Sequence, residues 1–272
     1  MTHIRIEPRS SWLAMEWREV WRFRELLFFL VWRDVKVRYK QTVIGIAWVV
    51  LQPLVASFIF AIIFGNFARM PSDNLPYVIF AMGGLVPWNF FANSIQRGTG
   101  SLVGSAGLIS KVYFPRLIIP VASILAGLVD LAVVLTALIV LMLIWGITPT
   151  LAILTLPLML LLAFGIALGA SLGLTAINVQ YRDVGYAMPV VMQLWLYATP
   201  VIYSSSLIPE NWRWLYGLNP MVGVIGGFRW ALFGTGMPPL AELALSLSVM
   251  IVLLVGGVLL FNRMESRFAD VV

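Results

Sequence analysis

The chain has 272 residues, of which 61% are apolar and 11% charged; soluble domains carry about a quarter charged residues, so a water-soluble fold is excluded. Six bilayer-spanning helices need roughly 120 apolar residues, and about 166 are present. The absence of cysteine removes disulfides, thiolate metal sites and a thiol nucleophile, and the formal charge of +6 serves either nucleic acid or membrane orientation.

The first forty residues hold nine of the 18 Lys and Arg and five of the 12 Asp and Glu. They form a polar head without the apolar h-region and cleavage site of a signal peptide. Within the head, the stretch from Leu26 to Tyr39 joins an apolar half to Arg33, Asp34, Lys36 and Arg38. It is too short and too charged to cross, and is expected to lie in the interface.

Nearly uncharged runs follow at residues 43–67, 75–95, 117–145, 151–179, 184–203 and 240–261. Each is long enough to span. The run from Met221 to Phe233 lasts 13 residues between Pro220 and Gly234 and is read as re-entrant. Six spans put both termini on one side. On that topology 15 of the positive charges lie on the terminal side, while Arg69, Arg213 and Arg229 lie on the other. The positive-inside rule then makes the terminal side cytoplasmic. The basic excess is accounted for without nucleic acid, for which no binding motif is present.

These runs predict an all-α integral membrane protein with an N-terminal amphipathic interfacial helix, six transmembrane helices and re-entrant outer helices. Its expected divisions are a head over residues 1–41, a transmembrane domain over 42–262 and a cytoplasmic tail over 263–272.

No GxxxxGK[ST] loop for cradling nucleotide phosphates is present, since the three lysines Lys36, Lys40 and Lys111 follow Val35, Tyr39 and Ser110. His3 is the single histidine, and no carboxylate cluster suggests a metal. Neither catalytic residues nor a metal site are therefore expected. A lipid-linked glycosyl or phosphoryl transferase would need acidic or histidine groups gathered at one membrane face, and Asp73, Asp183 and Glu210 are scattered.

The connection from Gln96 to Pro115 is rich in Gly and Ser around an amphipathic centre. It suits either a short helix offering Leu108, Ile109, Lys111, Val112, Tyr113 and Phe114 to a groove on a partner, or a solvated loop. Trp12, Trp17, Trp21, Trp32, Trp145, Trp212, Trp214 and Tyr216 fit membrane interfaces. Trp88, Phe90, Phe91, Trp195 and Tyr197 fall inside their runs, with Trp48 nearer an edge. Such rings either pack helices or offer stacking faces to a moving sugar chain. Asp130 is the one carboxylate deep in a span, and a hydrogen-bonded structural role is favoured for it over proton coupling. Gly165, Gly169 and Gly173 have the spacing of close helix contact, within the subunit or between copies. Pro87, Pro120, Pro189 and Pro200 mark kinks. The segment from Ser204 to Gly236 reads as two short helices capping the outer side, with Arg213 and Arg229 near lipid headgroups.

Three ordered stretches carry a family resemblance: WRDVKVRYKQTVIGIAWVVLQP from Trp32, the PWNFF and KVYFPR motifs between Leu85 and Arg116, and YRD, ATPVIY, NP and GFRWALFG between Tyr181 and Gly234. Together they resemble the type-2 ABC transporter permeases, and more narrowly those exporting lipid-linked O-antigen, capsule or teichoic acid. The resemblance implies a homodimer working with two copies of a separate ATP-hydrolysing subunit in the cytoplasmic (inner) membrane. ATP and Mg would be used by that partner, and no cofactor by this chain. It makes the segment ending at Phe114 a coupling helix contacting the ATPase subunit, together with Arg116 and with Arg33, Lys36 and Arg38 of the interfacial helix. It assigns Trp48, Trp88, Phe90, Phe91, Trp195, Tyr197 and Tyr203 to a translocation pathway, and Trp212, Arg213, Trp214 and Arg229 to an outer gate. A type-2 exporter of a drug or lipid is the alternative on the same architecture.

Overall fold

The computed structural model describes residues 21–40, 45–235, 237–265 and 268, and among them every regular element is helical. His3, Trp12, Trp17, Arg267 and the expected start of the first span lie outside the described residues. In chain order the helices are α1 (Arg24–Lys40), α2 (Ala47–Phe60), α3 (Tyr77–Gly104), α4 (Ala106–Ile109), α5 (Ile118–Ile144), α6 (Leu156–Gln180), α7 (Asp183–Tyr197), α8 (Glu210–Gly217), α9 (Pro220–Phe233) and α10 (Leu240–Glu265). Wider helical turns extend α2 from Ala61 to Phe67, and a 3-10 turn, Leu151–Thr155, leads into α6.

Five of these segments are long and apolar enough to cross a membrane: Ala47–Phe67, α3, α5, Leu151–Gln180 and α10. The sixth expected span is not a single helix. α7 has 15 residues and stops at Tyr197, because Pro200 lacks an amide donor and biases Thr199 away from helix. The chain nevertheless covers the full depth of its neighbour α3. At one end the Asn178 side-chain amide donates to the Thr99 carbonyl (2.9 Å), and the Asn178 amide oxygen accepts from the Gly185 N–H (2.7 Å). At the other end the Tyr77 hydroxyl donates to the Ile202 carbonyl. From Tyr77 to Thr99 is about 33 Å at 1.5 Å per residue, close to the roughly 30 Å of a hydrocarbon core. The stretch from Asn178 to Ile202 thus runs alongside α3 from one end to the other, as a helix with an irregular end.

α3 is buried along nearly its whole length and forms the axis of the bundle. It packs on α5, α6, α9 and α2, while α10 lies against α6 and α9. The α6–α10 contact is the tightest: a Cβ on Gly169 would stand 2.5 Å from the Leu253 backbone, and one on Gly257 would stand 2.1 Å from the Gly169 carbonyl oxygen. The small-residue stripe therefore acts inside the subunit, where close backbone approach replaces the hydrophobic drive that lipid does not supply. Hydroxyls stitch the α3–α6 seam, with Thr175 donating to the Gly98 carbonyl (2.6 Å) and Ser171 to the Ser94 carbonyl (3.3 Å).

At the Tyr77 end, α8 and α9 form a shallow hairpin. Asn219 caps α9 by accepting from the Met221 N–H (3.1 Å), Pro220 fills the first turn, and Gly234 closes the helix at φ +64°. Glycines of α9 bring it against the start of α10: Gly226 meets Pro239, and Gly223 meets Glu242 and Ser246. The hairpin descends only as far as Ser246.

At the Gly104 end, Leu30 of α1 joins Leu102, Phe114, Leu117, Phe261 and Phe268 in a second apolar cluster. α1 and the C-terminal end of α10 therefore share one end of the bundle.

Candidate functional site

Three basic or phenolic side chains converge on Asp130. Arg38 and Tyr39 at the end of α1 both donate to its carboxylate, and Arg97 of α3 donates to it from 3.0 Å. The Asp130 side chain is 16% exposed. All three of these partners are donors, matched to the acceptor oxygens of the carboxyl group. Burial, followed by the hydrogen bond to Asp130, pushes the Tyr39 hydroxyl up to about 12, so it remains a proton donor throughout the physiological range. Asp130 thus fastens α1 to α3 and α5.

This cluster forms one end of a cavity of about 530 Å³ between α1, α2, α3 and α5. Its other walls carry Trp48 and Gln52 of α2, Asn89, Phe90 and Asn93 of α3, and apolar residues of α5. The cavity is the centre of the candidate site.

The expected pathway rings divide. Trp48, 58% exposed, and Phe90 line the cavity. Trp88 and Phe91 do not: both are buried, and they meet Trp195 edge-on at 6.3 and 5.4 Å, locking α7 against α3. Rings packed against their own subunit offer no face to a passing chain. Tyr197 is exposed, and Tyr203 donates to its carbonyl (3.1 Å) while accepting from the Tyr216 hydroxyl (3.1 Å), tying α7 to α8.

At the Tyr77 end, Trp212 and Trp214 are exposed and Arg213 donates to the Ile208 carbonyl (3.4 Å). Arg229 departs from expectation. It is 7% exposed and donates to the carbonyls of Pro200 (2.8 Å), Val201 (2.7 Å) and Phe80 (3.1 Å), with its guanidinium 3.7 Å over the Phe80 ring. It cannot meet lipid headgroups, because its donors cap the carbonyls freed where α7 ends. Gly84 makes room for it, since a Cβ there would fall 2.8 Å from the guanidinium.

At the Gly104 end, the expected coupling helix is the single turn α4 followed by a bend. Lys111, Val112 and Tyr113 project into the open, while Leu108 and Ile109 lean on the second cluster and Phe114 is buried within it. Phe114 therefore supports this tip from behind. Arg116 also turns inward, donating to the Glu265 carbonyl and lying 5.9 Å from the Phe268 ring centre. On α1, Lys36 is exposed, Arg33 pairs with Asp34 at 2.9 Å, and Arg38 is engaged by Asp130.

The model of a family described as ABC-2 type transporter matches residues 25–233. The chain belongs to the ABC-2 type transporter family. The O-antigen export system permease protein RfbA of Klebsiella pneumoniae is 30% identical over 248 residues, 91% of this chain and 95% of that protein. Its counterpart of the same name in Myxococcus xanthus is 30% identical over 255 residues, covering 93% and 97% of the two chains. The polysialic acid transport protein KpsM of Escherichia coli is 23% identical over 199 residues, covering 71% and 75%. As an ABC-2 family member with several membrane-crossing helices, the chain is a multi-pass transport component rather than an enzyme.

Two features of this ABC-2 subunit were missed by sequence reasoning. Gln52, Asn89 and Asn93 were absorbed into apolar runs, although Asn89 and Asn93 are one helical turn apart and Gln52 is one turn after Trp48. Arg97 was counted only as a cytoplasmic charge; its approach to a lone intramembrane carboxylate was the available signal.

Proposed function

We propose that this chain is the permease subunit of an ATP-driven exporter that moves polyprenyl-diphosphate-linked polysaccharide from the cytoplasmic to the outer side of the membrane. Two copies would pair around the pathway and work with two copies of a separate ATPase subunit. The observation that carries the reading is similarity to O-antigen export permeases over more than nine-tenths of both chains, in a sequence with no phosphate-binding loop of its own. The Gly104 end carries α1, Lys111, Arg116, Arg182 and Arg263, whereas Arg69 and Arg213 lie towards the Tyr77 end. That asymmetry supports a cytoplasmic Gly104 end with both termini inside. The exposed tip from Lys111 to Tyr113 then faces the ATPase subunit, and the α8–α9 hairpin lies on the outer side as a gate.

In such a machine ATP acts at a distance. Force on the tip passes through Phe114 into the cluster holding α1, α3 and the end of α10, and reaches the cavity through Arg38 and Arg97. Cells lacking the chain are expected to accumulate lipid-linked glycan inside and lose it from the surface, with sugar analysis of the retained material identifying the cargo. Unchanged surface glycan in such cells would overturn the proposal.

A further inference from the structure

Gln52, Asn89 and Asn93 line the cavity, and among the described residues none of their side-chain amides has a hydrogen-bond partner. Asn89 and Asn93 lie 12 and 16 residues into α3, about 18 and 24 Å from its Tyr77 end. An unpartnered amide at that depth costs several kcal/mol if it faces hydrocarbon, so these groups face water or a ligand. An amide both donates and accepts, and three of them suit hydroxyls better than a bare charge. Trp48, one turn before Gln52, adds an exposed ring face to the same cavity.

The end of the cavity has a different character. Arg38 and Arg97 share the single carboxylate of Asp130, and among the described residues no other acid lines the space. One positive charge is therefore left over beside a wall of amides, inside a low-dielectric surround that strengthens its pull on an anion. At about 530 Å³ the space falls within the range of small-molecule sites.

We infer that this cavity binds a sugar ring bearing a phosphate, with the ring against Trp48, its hydroxyls on Gln52, Asn89 and Asn93, and the phosphate at Arg38 and Arg97. The inference rests on the export function proposed above and makes the cavity the place where the lipid-proximal sugar of the cargo is checked. A phospholipid headgroup or a free sugar phosphate shares this chemistry, and the test separates these sources.

The full transporter, this chain with its ATPase subunit in nanodiscs, would be titrated with polyprenyl diphosphate carrying one N-acetylhexosamine. The same carrier without sugar, phosphatidylglycerol and free N-acetylglucosamine 1-phosphate would be titrated in parallel. The sugar-bearing carrier is expected to bind about tenfold or more tighter than the bare carrier, as for sites built to hydrogen-bond a ligand's hydroxyls. Asn89→Leu and Gln52→Leu should each bring that ratio towards one and leave the bare carrier unaffected. Arg97→Gln should weaken both carriers and preserve the ratio. A ratio that survives in both amide variants would overturn the inference while leaving the export function standing, and so would equally tight binding of phosphatidylglycerol; equally tight binding of the free sugar phosphate would keep a sugar-phosphate site and overturn its role in checking the lipid-linked cargo. If the wild type binds neither carrier and cells lacking the chain keep their surface glycan, the export function itself has failed.

Discussion

Arg229 and the pair Arg38 and Arg97 are arginines held within the bundle in opposite ways. Arg229 is buried and bonded to three backbone carbonyls, whereas Arg38 and Arg97 are partly exposed to a cavity and share one carboxylate. Carbonyls of a broken helix belong to the fold and no ligand competes for the fixed donors that cap them. A carboxylate shared by two guanidiniums can yield one of them to an incoming anion. Arg229 therefore reads as a strut and the Asp130 cluster as a latch, both with side chains that cost too much in a membrane to be kept without a task.

Removing the strut is the largest change expected. Arg229→Met strands the carbonyls of Pro200, Val201 and Phe80, each costing about 1–3 kcal/mol when buried without a donor. The variant should melt at a markedly lower temperature than the wild type in detergent, and Arg229→Lys should recover part of the difference. An unchanged melting temperature in Arg229→Met would remove the strut from the account.

A packing control gives the comparison a scale. Gly169→Leu drives a side chain into the Leu253 backbone and should destabilise by about 1–3 kcal/mol or more. Gly100→Ala, whose Cβ meets nothing within 4 Å, should be nearly neutral in the same melting assay.

Loosening the latch should do less. Asp130→Asn keeps the shape and removes the charge that Arg38 and Arg97 share. It is expected to cost about 1–2 kcal/mol, below the value for fully buried pairs because these side chains are partly exposed. Adding Arg38→Gln should restore some of that loss, since it relieves two cations facing each other. Export should persist at a reduced level in Asp130→Asn; complete loss with normal assembly would instead make the acid a participant in transport.

The smallest effect on the fold belongs to the tip. Lys111→Glu combined with Tyr113→Ala changes exposed residues and should move stability by no more than about 0.5 kcal/mol. Co-purification with the ATPase subunit should nevertheless fall sharply. Retained co-purification would take the tip out of the partner surface.

The sequence made much of the bundle legible because lipid imposes long uncharged runs, and the helices around residues 47–67, 77–104, 118–144, 151–180 and 240–265 follow from them. The broken end of α7 was harder to foresee. Pro200 hinted at a kink, but the group that stabilises the break is a guanidinium bonded to backbone, and backbone carbonyls leave no mark in a sequence. Arg229 looked like a surface charge for that reason. Asp130 stood out as a lone acid, yet its partners lie 92 and 33 residues away, so only the fold could pair them. Tyr113 and Phe114 show a limit at short range: one is exposed and the other buried, and both lie past the single turn of α4, where no helical period applies.

The central claim is that this chain forms the pathway and another subunit supplies the energy. Its most direct test is reconstitution of the purified chain in proteoliposomes, alone and with the ATPase subunit, measuring ATP hydrolysis and movement of a labelled polyprenyl-diphosphate glycan together. Neither activity is expected from the chain alone and both from the pair. Hydrolysis by the chain alone, or hydrolysis by the pair with no movement of glycan, would contradict the account.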